Sequence, residues 1–274
     1  MANLRLTGLY ALLAVVPLVL AHELMHGFGG ALFGHGAVIN MNGANPQDLE
    51  TTGEWVIFAL SGTAYLFYVT VVLLLAFRKW RKPYWLGTSL AAGTLHQVGF
   101  LWDLVKIGIT GSVGGGNGSD PFHAGAILWN NGPLPGGELP WREITFASGW
   151  PSFLIITVLI ITIATWVCLA WELSGMAASR KRQRTLCLTA EWFLIILWIA
   201  AVVSTAYACL AMFIHALTDW EWSAPPAVVL VLGTVLLIIP MVVWVRGGCP
   251  PRSPWVVQGG KSGRNAVYPP PSSG

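Results

Sequence analysis

Three ionisable side chains stand close together early in the chain, in Ala21-His22-Glu23-Leu24-Met25-His26-Gly27. His22, Glu23 and His26 spell HExxH. On a helix, positions i and i+4 share one face, so both imidazoles can reach a single metal ion. Glu23, beside the first of them, is placed to act as general base toward a water on that ion. Zn2+ suits this chemistry, because it lowers the pKa of a bound water to about 7 and polarises a carbonyl. A catalytic zinc takes three protein ligands and keeps one position open. A metzincin would supply the third as a His six residues after the second, where Leu32 stands, and His35 comes too late. Glu50 and Glu54 are in range for a thermolysin-like arrangement, which belongs to a soluble fold. Two further carboxylates are candidates. Asp103 lies in HQVGFLWDLV, seven residues after His96 and on the same helical face. Asp120 lies in GNGSDPFHAG, where the glycines allow the loop to fold back toward the motif. Ser119-Asp120-Pro121 also reads as a helix N-cap with proline in the first turn.

The elements that must hold these residues follow from composition. Of 274 residues, 55% are hydrophobic and 10% charged, against about 25% charged in a soluble domain. That excludes an ordinary soluble enzyme and most nucleic-acid binders, and no nucleic-acid partner is expected. Cys168, Cys187, Cys209 and Cys249 sit in apolar stretches without paired spacing, so neither a disulfide framework nor a zinc knuckle is implied. A span needs about 20 apolar residues. Six stretches qualify: 6–33, 55–77, 84–109, 146–171, 186–217 and 227–245. The expectation is an all-α polytopic membrane protein of about six transmembrane helices. Its membrane domain covers residues 1–245, and a disordered Pro/Gly/Ser-rich cytoplasmic tail covers 246–274. HExxH falls in span one, where ionisable residues default to a functional reading. Arg5, the apolar run and Val19-Leu20-Ala21 also resemble a cleavable leader, but the run resumes beyond the motif as GFGGALFG.

Six spans segregate the basic residues. All Lys and Arg except Lys106 and Arg142 fall in one set of connections, and most acidic residues fall in the other. The positive-inside rule then places both termini in the cytoplasm and the HExxH site toward the outer leaflet. His22, His26, His35, His96, His123 and His215 all fall toward that side. The long connection after span three begins with a Gly-rich run, 111–118, suited to a flexible gate.

These motifs together resemble the M50B-like branch of the site-2-protease metallopeptidases. HELMHGFGG stands in an early span. Ala59-Leu60-Ser61-Gly62 echoes the small-residue motif that opens a later one. Trp102-Asp103 and Ser119-Asp120 match, in order, an aromatic-Asp pair and a Ser-Asp pair opening a short helix. The resemblance covers about residues 15–130. It departs from the family in lacking the LDG and NxxP signatures, and in carrying Thr63 after Gly62. It implies zinc held by two His and a downstream Asp, with Glu as general base. The Ser-Asp match favours Asp120 over Asp103 as that ligand. The expected function is a membrane-embedded zinc metallopeptidase acting on membrane-anchored proteins or peptides. The alternatives are a non-catalytic membrane subunit or scaffold that keeps the site's shape, and a metal- or haem-binding transporter or redox protein. His22 and His26 on one face suit a small ion better than haem.

Overall fold

The computed structural model describes residues 2–40, 43–113, 118–133, 139–147, 149–177, 195 and 221–246. These residues are mostly helical: α1 (Ala2–Ala31), α2 (Thr52–Trp80), α3 (Pro83–Thr94), α4 (Gln97–Thr110), α5 (Asp120–Asn130), α6 (Trp141–Phe146), α7 (Trp150–Ala177) and α8 (Pro226–Arg246). Among the described residues, three helical segments are long and apolar enough to cross a membrane: Leu4–Ala31, Thr52–Trp80 and Trp150–Met176. Pro226–Val242 is a shorter apolar helix. The expected span at 186–217 and the tail beyond Arg246 lie outside the described residues.

Two features depart from the expectation. The stretch 84–109 is two helices, with a break at Leu95 and His96 between α3 and α4. The break is stabilised from the side. Trp166 Nε1 donates to the Gly93 carbonyl at 2.7 Å and to Gln97 Oε1 at 2.9 Å. Interrupted backbone in an apolar bundle survives only when its freed polar groups find partners of this kind. The chain is also not purely helical. A three-stranded antiparallel sheet of β1 (Ala37–Asn40), β2 (Gly43–Pro46) and β3 (Trp222–Ala224) has the order β2-β1-β3. Ala37 lies opposite both Pro46 and Ala224. Such short strands fall below what period-2 patterning can reveal in a sequence dominated by apolar helices.

The core is built around α1. Val15, Leu18 and Val19 pack with Leu66 and Val69 of α2, Leu86 and Leu90 of α3, and Trp166 and Leu169 of α7. Small residues permit the closest crossings, as is usual for helices without a hydrophobic drive between them. A Cβ on Gly87 would collide with the Thr7 carbonyl of α1. The ends of α2 are well specified. Thr51 accepts the Glu54 N–H at 3.3 Å and Glu54 accepts the Thr51 N–H at 3.2 Å, a capping box. Arg81 closes the other end in the left-handed region.

The two ends of the bundle differ in charge. At one end the sheet joins residues 37–40 to 43–46 and 222–224, and Thr52 bonds Asn131. At the other, Arg78 of α2 and Arg81, its C-cap, each lie 2.9 Å from the buried Glu172 carboxylate of α7. Lys79 sits over the Trp244 ring of α8 there. The basic connection 78–82 is thus separated from the sheet by the length of α2.

Candidate metal centre

His22 and His26 occupy adjacent turns of α1, one helical repeat apart and both buried. Their rings meet edge to face at 89°, and the two Nε2 atoms lie 3.1 Å apart. Asp120, the first residue of α5, brings its Oδ2 to 3.3 Å from each of them. An ion bound tetrahedrally at about 2.0–2.1 Å has ligands about 3.3–3.4 Å apart. The triangle of 3.1, 3.3 and 3.3 Å therefore matches three vertices of such a site. The donor set, two imidazole nitrogens and one carboxylate oxygen, is one that zinc accepts.

Surrounding groups fix this geometry. The His26 Nδ1–H donates to the Phe58 carbonyl at 2.7 Å, which leaves its Nε2 lone pair for an ion. Thr63 Oγ1 donates to Asp120 Oδ2 at 2.7 Å. Gly62 faces the pair, and a Cβ there would stand 2.5 Å from His26 Nε2 and 2.7 Å from His22 Nδ1. Only glycine leaves the imidazoles that space. Burial opposes charge on Asp120, but His26 and His22 beside it hold its carboxyl well below the usual carboxylate range. Burial pushes the His123 imidazole below its ordinary value.

Glu23 is buried, with Oε1 3.9 Å from His22 Nε2. It borders the triad without belonging to it. Asp103 takes a different place. Its Oδ2 accepts the backbone N–H of Ser119 at 2.8 Å, and among the described residues it belongs to neither cluster of side chains spaced to hold an ion. It holds the start of α5, and so the residue next to it, Asp120. Of the two carboxylates weighed for the third position, the geometry brings Asp120 to the histidines and sets Asp103 behind it.

A cavity of about 270 Å³ opens on this triad. Besides the residues named it is lined by His96, His123, Ser119 and, from β2, Gly43 and Ala44. His96 reaches it because the α3–α4 break turns its ring onto His22, with centroids 3.9 Å apart and planes within 10°. Of the other histidines, His35 pairs with Glu54 at 3.5 Å, and His215 lies outside the described residues. The part of the Gly-rich run at 114–117 also lies outside them. Motif reading misses the Phe58 carbonyl and the role of the Thr63 hydroxyl. Thr63 carried a faint signal, as a hydroxyl directly after the glycine that echoes the family motif. Phe58 carried none, since a backbone carbonyl leaves no mark on residue type.

No protein-family model, no curated protein and no solved structure matches the chain.

Proposed function

We propose that this protein is a membrane-embedded zinc metallopeptidase of the M50B-like, site-2-protease type, acting on membrane-anchored proteins or peptides. The observation that carries the reading is the near-equilateral triangle of His22 Nε2, His26 Nε2 and Asp120 Oδ2, with Glu23 beside it. A zinc ion in this triad would polarise a peptide carbonyl and acidify a water. His22, His26 and Asp120 hold the ion. Glu23 accepts the water proton on its carboxylate and returns it to the departing amine nitrogen. The Phe58 carbonyl, Thr63 and Gly62 keep the three ligands in register. β2 is an edge strand of the described sheet and contributes Gly43 and Ala44 to the cavity. It offers backbone pairing to an extended segment, whose carbonyls a transmembrane helix would otherwise hide in its own hydrogen bonds.

The test is metal analysis of the purified, detergent-solubilised chain. About one zinc per chain is expected, and none in the His22→Ala variant. Iron with visible absorbance would favour the redox reading instead, and no bound metal would leave a scaffold that keeps only the site's shape.

A further inference from the structure

The HExxH triad does not use His96, although His96 lies against it. Two groups of metal-capable side chains converge here, His22–His26–Asp120 and His22–Glu23–His96, each with its ligand atoms within 4.8 Å of one another. His22 belongs to both, and its Nε2 has one lone pair to give. Ring orientation decides which histidine can share an ion with it. An imidazole binds a metal near its own ring plane. The His22 and His26 planes cross at 89°, so one ion can lie in both. The His22 and His96 planes are within 10° of parallel at a centroid separation of 3.9 Å. Two near-parallel planes stacked at that distance do not meet at an ion bound about 2.0–2.1 Å from each ring. His96 therefore cannot join His22 on the first ion. A separate position is left for a His96 nitrogen, with Glu23 as the carboxylate beside it.

We propose that Glu23 and His96 form a second, weaker divalent-cation site beside the first, suited to zinc. This inference rests on the reading of the triad as a zinc centre. Two protein ligands, an imidazole nitrogen and a carboxylate oxygen, make a sparse shell that water must complete, so the second ion binds less tightly than the first. Its occupancy has a chemical consequence. A Glu23 carboxylate bound to a cation cannot accept a proton from water. The same residue that serves the reaction at low free zinc becomes the lever by which excess zinc stops it.

The experiment is zinc stoichiometry of the full chain in detergent against buffered free zinc. Wild type should hold one equivalent at the lowest free zinc and gain a second as free zinc rises. His96→Phe keeps a flat ring to stack on His22 but removes the nitrogens. It should retain the first equivalent and lose the second. Glu23→Gln should behave the same way, and it decides the matter if His96→Phe loses both. A wild type that never exceeds one equivalent overturns the proposal, as does a second equivalent that persists in His96→Phe or Glu23→Gln. A wild type that binds no tight equivalent, with His22→Ala no different, would instead bring down the triad reading and the second site with it.

Discussion

At the scale of single residues, the proposed function separates holding an ion from moving a proton. His22, His26 and Asp120 supply lone pairs, whereas Glu23 stands 3.9 Å from His22 Nε2 and supplies basicity. Replacing Glu23 with Gln keeps its shape and removes that basicity. The expected outcome is unchanged tight zinc content and turnover lower by about 10²–10⁴-fold, the usual worth of a general base. Metal analysis beside a peptide-cleavage assay checks this, and parallel loss of the tight zinc would make Glu23 a ligand instead. The two aspartates should differ in the same measurement. Asp120→Ala removes a ligand and should abolish tight binding. Asp103→Ala removes the acceptor of the Ser119 N–H that steadies α5. Its zinc affinity should fall by about 10–100-fold, the typical cost of losing a supporting hydrogen bond. Equal effects of the two substitutions would contradict this division.

At the scale of elements, the site exists because three helices approach at points where the chain carries little bulk or changes direction. α2 comes close to α1 at Gly62, α5 begins at Asp120, and the third stretch breaks at His96. Gly62→Ala should cost zinc binding while leaving the bundle folded, since its methyl would stand 2.5 Å from His26 Nε2. Zinc content and the helical circular-dichroism signal would show the two effects apart. The break is the more fragile feature. Trp166→Phe leaves the Gly93 carbonyl and Gln97 Oε1 without the indole donor, at a cost of about 1–3 kcal/mol for buried groups. A lower Tm in detergent is expected. The sequence displays some of this organisation and hides the rest. HExxH, the start of α5 at Ser119-Asp120-Pro121 and the apolar stretches of α1, α2 and α7 are visible because each rests on local residue types. The break at Leu95 and His96 is not visible, because neither proline nor glycine marks it. What fixes it is Trp166, far away in sequence and donating across the bundle. The sheet escapes for the same reason, since β3 is 3 residues long and finds β1 only in three dimensions.

At the scale of the whole molecule, charge and architecture agree. The sheet gathers segments 37–40, 43–46 and 222–224 at one end, near in sequence to the acidic residues Asp48, Glu50, Glu54 and Glu221. Arg78, Lys79 and Arg81 lie at the far end of α2, tied to Glu172 and close to Trp244. A bundle with its cations at one end is expected to place that end in the cytoplasm. This orientation sets which compartment the β2 edge and the cavity face. It is tested by single cysteines in a background where Cys168, Cys187, Cys209 and Cys249 are replaced by Ala or Ser. Cysteines at Asp48 and Glu221 should react with a membrane-impermeant maleimide added to intact cells. Cysteines at Lys79 and Lys82 should react only after the membrane is opened. The pair Asp48 and Glu221 is the informative one, because β1–β3 pairing requires both to sit on one side whatever the orientation. Opposite labelling of these two would break the sheet itself. Joint labelling only after permeabilisation, with Lys79 and Lys82 reached from outside, would invert the molecule and place the His22–His26–Asp120 cluster toward the cytoplasmic leaflet.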